Sequence, residues 1–89
     1  MKAIVTVLGK DKVGIIAAVC TYLSERGANV VEISQTVVDG YFDMLMIVDI
    51  DKINCKIGEL AGGLEELGKE IGLMIRFQRE EIFESMHRI

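Results

Sequence analysis

Asp39-Gly40 separates two runs of alternating residues, and this pair constrains the fold more than any other feature of the chain. Before it, from Asn29 to Val38, Val31, Ile33 and Val37 alternate with Glu32, Ser34 and Thr36. After it, from Tyr41 to Ile50, one parity carries Phe42, Met44, Met46, Val48 and Ile50. A period of two is the signature of a strand. Asp-Gly between two strands suits a type I′ turn, whose two central residues both need positive φ. An antiparallel hairpin therefore occupies the middle of the chain. The other parity of the later strand, Tyr41, Asp43, Leu45, Ile47 and Asp49, is apolar at its centre too, so its second face also needs cover.

The flanks extend the pattern. Ala3 to Leu8 form a β-branched strand closed by Gly9. Asp11 is positioned to cap a helix whose stripe is Val13, Ile16, Ala17, Cys20 and Leu23, with Gly27 as its left-handed stop. After the hairpin, Asn54 offers a cap to a second helix through Ile57, Leu60, Ala61, Leu64, Leu67 and Ile71, ended by Gly72. Gly62 and Gly63 inside it each cost about 1 kcal/mol against alanine, so this helix leans on tertiary packing. Leu73 to Gln78 read as a fourth strand. The last residues place Ile82, Phe83, Met86 and Ile89 on one helical side.

The order strand, helix, strand, strand, helix, strand defines an α+β class. It is the ferredoxin-like βαββαβ sandwich, a four-stranded antiparallel sheet with two helices on one face, plus a short C-terminal helical tail. Crossover rules place the first and third strands centrally. With 89 residues, the expectation is a single domain over 1–89, with its core at 1–78 and a tail at 79–89.

Composition narrows the function. Fourteen acids against ten bases leave a net charge of −4, which argues against nucleic acid and against an anionic membrane surface. No apolar run approaches a membrane span, and Lys10-Asp11-Lys12 replaces a signal-peptide cleavage site, so a cytoplasmic protein is expected. Cys20 and Cys55 stand far apart with one His in the chain, too few ligands for a zinc site, and both are expected to be free thiols. A mean hydropathy of +0.36 is high for so small a domain and suggests an apolar surface covered by a second subunit.

Chemistry-bearing groups are sparse. The first loop lacks the CxxC of a metal chaperone and the arginine of an acylphosphatase-like enzyme, and the central strands lack the aromatics of an RNA-recognition domain. His87 is the sole imidazole, and Glu65, Glu66 and Glu70 fall off the apolar stripe of their helix. No acid, base and nucleophile converge, so no enzyme, cofactor or metal is expected. What remains is Gly9-Lys10-Asp11-Lys12-Val13-Gly14-Ile15, leading into a helix N-terminus, together with Asn29 just past Gly27. Free N–H groups at such a terminus hold a carboxylate. Asp11 attracts an amino group, and the Asn29 amide carries both donor and acceptor. A zwitterionic amino acid answers both charges. The competing reading is that Asp11 only caps, Gly14 only packs and Asn29 only turns the chain.

The run Asp11-Lys12-Val13-Gly14-Ile15, the helix ending at Gly27 and the Asn29-Val30 start of the next strand resemble the ACT domain, a small ligand-binding module of many enzymes of amino-acid metabolism. The likeness covers residues 1–78. Val13 departs from it, since many members carry proline there, which leaves the loop less pre-set. Ile33-Ser34-Gln35-Thr36 and the ending Ile82 to Ile89 are further similar to short, stand-alone ACT-domain proteins of uncharacterised function. The resemblance implies a homodimer that binds an amino acid or similar effector between subunits, regulatory in role, with Asp11, Gly14, Ile15, Asn29 and Val30 as ligand-binding residues. The alternative is a protein–protein interaction or assembly module with no ligand.

Overall fold

In the computed structural model, which describes residues 1–81, the chain runs β1 (Lys2–Lys10), α1 (Ile15–Glu25), β2 (Asn29–Val38), β3 (Tyr41–Asp49), α2 (Ile57–Ile71) and β4 (Met74–Arg79). The sheet order is β2-β3-β1-β4 with every pairing antiparallel, the ferredoxin-like arrangement, and β1 and β3 are central as expected. The tail expected as a helix over 79–89 lies outside the described residues from 82 onward.

The hairpin turns as its sequence requires: Asp39 has φ 53° and Gly40 φ 80°, both in the left-handed region of a type I′ turn. Alternation decides which residues are inside. Ala3, Val5 and Val7 of β1 and Phe42, Met44, Met46 and Val48 of β3 form one side of the core, facing Val19 and Leu23 of α1 and Leu60 and Leu64 of α2. Apart from the small Ala3, each of these side chains contributes about 1.5–3 kcal/mol through burial. Ile50 and Leu73 are buried just beyond the ends of their strands.

In β2 a bulge breaks the register between Val30 and Glu32. It takes up Val31, so that Ile33, Gln35 and Val37 point to the helix side opposite Met46, Met44 and Phe42, while Glu32, Ser34 and Thr36 face outward. Even so, β2 overhangs the helices. From Val31 to Val38 every residue is exposed.

Four local expectations are corrected. Asp11 does not cap α1. Its backbone amide donates to the Gly40 carbonyl at 2.9 Å, which holds it beside the hairpin turn, and Gly14 takes the N-cap position at φ 86° with no side-chain cap. With the helix starting later, its buried stripe is Ile15, Val19 and Leu23; Val13 lies outside it, fully exposed, Ala17 is also exposed, and Ile16 and Cys20 are half-buried. Asn54 does not cap α2 either. Lys56 does, and Asn54 is spent joining the loop to α1, its Nδ2 donating to the Glu25 carbonyl at 3.2 Å and its backbone amide to that of Arg26 at 2.9 Å. Gly9 lies within β1 rather than at its end.

Candidate functional site

The five residues singled out from sequence fall at two opposite ends of the molecule. Asp11, Gly14 and Ile15 lie where β1 leaves the sheet, beside the β2–β3 turn. Asn29 pairs with Asp49, which in turn pairs with Lys2, at the far end of the same strands. Lys10 and Lys2 are eight residues apart on β1, so at about 3.3 Å per residue the two groups are separated by roughly 26 Å. Within one chain they do not form one pocket.

At the first end, two contacts hold the loop: Asp11 to Gly40, and the Lys12 ammonium, which donates to the Ile71 carbonyl at 2.8 Å. Lys12 thereby caps the C-terminus of α2 with a positive charge, where the helix dipole favours one. Gly14 adopts a backbone that other residues strain to reach, and a Cβ placed there meets no atom within 4 Å. The space in front of α1 is open. Among the described residues no side chain caps the first amides of α1, and uncapped amides at a helix start are the kind of group that can hold an anion. Ile15 points into the core at 4% exposure, so only its backbone faces this space.

At the second end, Asn29 is exposed and lines a recess of about 360 Å³ with Gly27, Asp49, Asp51 and Lys52. A Cβ on Gly27 would stand 2.6 Å from the Lys52 carbonyl, so glycine is what lets the β3–α2 loop close over this recess. The Met1 ammonium binds the Asp51 carboxylate, and that bond raises its pKa above the ordinary value. Val30 is half-buried opposite Val48 and serves the core. The recess offers both signs of charge beside a neutral amide.

Sequence reasoning missed Lys12, Asp51 and Lys52, because each gains its place from a contact or a loop closure far away in sequence. It also missed the clustering of exposed apolar residues. Val31, Ile33, Val37 and Val38 of β2, Tyr41 at the turn and Val13 in the loop are all open to solvent. Leu45 and Ile47, expected to be the bare face of β3, are half-buried. Cys20 and Cys55 are free thiols at the margin of the core. Among the described residues no helix is long and apolar enough to cross a membrane, and no group of three or more His, Cys, Asp or Glu is placed to hold a metal ion.

Known proteins carry the same pattern. The model of the ACT domain family matches residues 2–78. A UPF0237 protein of Bifidobacterium longum is 60% identical over 99% of this chain and 98% of its own. An ACT domain protein from Streptococcus pneumoniae superimposes with a TM-score of 0.82 at 42% identity, covering 98% of each chain. The regulatory subunit of aspartate kinase from Thermus thermophilus superimposes with a TM-score of 0.67 at 30% identity, over 86% of this chain and 50% of that one. The likeness runs along nearly the whole length of short proteins of this size, and the chain belongs to the ACT domain family, among the UPF0237 proteins.

Proposed function

We propose that the chain is a single regulatory ACT domain, residues 1–89, that works in the cytoplasm as a homodimer and binds an amino acid between its subunits. One observation carries this reading. The two halves of the candidate site sit at opposite ends of an exposed, apolar edge strand.

Two copies of β2 pairing antiparallel across a two-fold axis would set the Asn29 end of one strand beside the Val38 end of the other. Asp11 is bonded to the turn just beyond Val38, so that pairing would bring one protomer's Asn29 recess to its partner's Asp11–Gly14 loop. The split inside one chain then becomes a complete site, present twice. The free amides of α1 suit the ligand carboxylate, Asp11 and the Asp49–Asp51 wall suit its ammonium, and the Asn29 amide orients both. Ile15 and Val30 contribute through backbone and packing. The pairing would also cover Val31, Ile33, Val37 and Val38, each aliphatic side chain worth about 1.5–3 kcal/mol when fully buried. The regulatory role accords with the aspartate kinase regulatory subunit that shares the fold.

The test pairs sedimentation with thermal shift against the free amino acids. A dimer is expected, and one amino acid at a hundredfold excess over its Kd should add about 2.7 kcal/mol of stability. Asn29→Ala should abolish the shift and keep the dimer, whereas Val37→Asp should remove both. A monomer that binds an amino acid, or an Asn29→Ala variant that binds as well as the wild type, refutes the composite site. A dimer indifferent to every amino acid makes the chain an assembly module.

A further inference from the structure

The Asn29 recess holds binding groups that the chain itself does not use. Gly27, Asn29, Asp49, Asp51 and Lys52 line it. Both of its acids are engaged: the Asp51 carboxylate binds the Met1 ammonium, and Asp49 Oδ1 accepts the Asp51 backbone amide at 2.9 Å. Lys52 and Asn29 differ from them. Among the described residues, neither the Lys52 ammonium nor the Asn29 side-chain amide has an ion pair or a hydrogen bond.

Lys52 is anchored more firmly than an ordinary surface lysine. Its loop is pinned on both sides, by the two contacts of Asp51 and by Asn54, which bonds to the Glu25 and Arg26 carbonyls. The Lys52 carbonyl itself sits over Gly27, where a Cβ would stand only 2.6 Å away. The ammonium therefore extends from a fixed point on the rim, and less freedom is lost when it takes a partner. An ammonium has three donors and no acceptor, and the Asn29 amide adds two donors beside it. Donors of this kind suit a carboxylate, through charge-assisted hydrogen bonds.

In the proposed dimer the partner's α1 amides take one carboxylate, and the partner's Asp11 takes the ammonium. Lys52 and Asn29 are left over, and they call for a second carboxylate. We propose that the effector is a dicarboxylic amino acid, one carboxylate on the α1 amides of one protomer and the other on Lys52 and Asn29 of its partner. This inference rests on the composite site. The class is the same whichever carboxylate takes which end. Counted alone, Asp11, Asp49 and Asp51 would point to a basic side chain. With Asp51 matched by the Met1 ammonium and Asp49 by a backbone amide, however, such a side chain would meet the Lys52 cation. An aliphatic side chain would leave Lys52 unpaired beneath the partner's loop, and covering an unpaired charge is costly.

Calorimetric titration of the native full chain tests the class without any substitution. The probes are L-glutamate and L-aspartate, their amides L-glutamine and L-asparagine, and L-lysine, L-arginine and L-leucine. At least one acid should bind about tenfold or more tightly than its own amide, the worth of a hydrogen bond to a charged group. Lys52→Gln should bring that acid down to the affinity of its amide and leave the amide unchanged, whereas Lys52→Arg should keep most of the preference. Equal binding of acid and amide, tighter binding of lysine, arginine or leucine, or a Lys52→Gln variant that weakens acid and amide alike overturns the proposal. If Asn29→Ala still abolishes that binding, the composite site stands without it. A chain indifferent to all of these probes also overturns the proposal, and the full set of free amino acids then decides whether the composite site survives.

Discussion

Gly62 and Gly63 are neighbours in the middle of α2, and alanine should act on them in opposite directions. On intrinsic propensity each glycine costs about 1 kcal/mol relative to alanine. A methyl on Gly62 meets no atom within 4 Å, so Gly62→Ala collects that gain in full. A methyl on Gly63 runs into the Tyr22 hydroxyl, with the ring carbon Cζ at 2.7 Å. Tyr22 is held there: its hydroxyl donates to the Leu60 carbonyl at 3.3 Å, and the Arg26 guanidinium lies 3.6 Å from its ring centroid. Moving the ring forfeits about 1 kcal/mol of hydrogen bond and about 0.5–1 kcal/mol of cation–π attraction. These losses exceed the gain in propensity. Gly62→Ala should therefore stabilise by about 1 kcal/mol, raising Tm by roughly 4–8 °C. Gly63→Ala should destabilise by about 0.5–1 kcal/mol, leaving the two variants apart by about 1.5–2 kcal/mol. Urea and thermal unfolding at one fixed protein concentration measure the difference. In a Tyr22→Ala background the obstacle is gone, and Gly63→Ala should become as favourable as Gly62→Ala. Equal responses to the two alanines in the wild-type background would refute the packing of Tyr22 on α2.

Two further outcomes concern charge. Lys12→Met removes the ammonium that caps the C-terminus of α2 through Ile71, and should cost about 0.3–1 kcal/mol, less at high salt; a loss that ignores salt would mean that Lys12 acts through packing. The Met1 ammonium has its pKa raised above 8.0 chiefly by its bond to Asp51. Folding thus favours its charged form, and the stabilisation is complete below pH 8.0 and disappears as the pH rises through the raised value. Both groups are exposed, so the effect is small. Asp51→Asn should flatten this alkaline decline, measured as Tm against pH, and an unchanged slope would place its origin elsewhere.

The hairpin and the layering of the sheet were legible because short-range rules decided them. Asp39-Gly40 needs nothing but its own backbone preference, and the parity of Phe42 to Ile50 alone decides which side of β3 is buried. The start of α1 was not legible. Asp11 has the chemistry of a cap, but the carbonyl of Gly40, distant in sequence, takes its backbone amide and fixes it beside the hairpin, and the helix begins at the next residue able to turn left-handed. Asn54 was misread for the same reason. A residue that suits a cap also suits a loop closure, and only the three-dimensional neighbour decides between them. Of the candidate site, the residue types were visible but their separation was not, because distance along β1 and β2 emerges only once the register is known.

The two edges of the sheet are unequal, and this bears on how far self-association can run. An exposed edge strand invites pairing with any other edge. β2 is long and apolar, with Val31, Ile33, Val37 and Val38 in the open. β4 has six residues against ten for β2, and two of them, Arg76 and Arg79, are arginines. Short, charged edges are the usual means by which proteins blunt unwanted pairing. If β2 met β4 of the next copy, the contact would be head-to-tail and could continue indefinitely; if β2 meets β2, a two-fold axis closes the assembly at two. The unequal edges favour the closed form. They also account for why a domain this small tolerates so bare a strand: under the proposed pairing, the surface that would otherwise drive aggregation joins the two halves of the site.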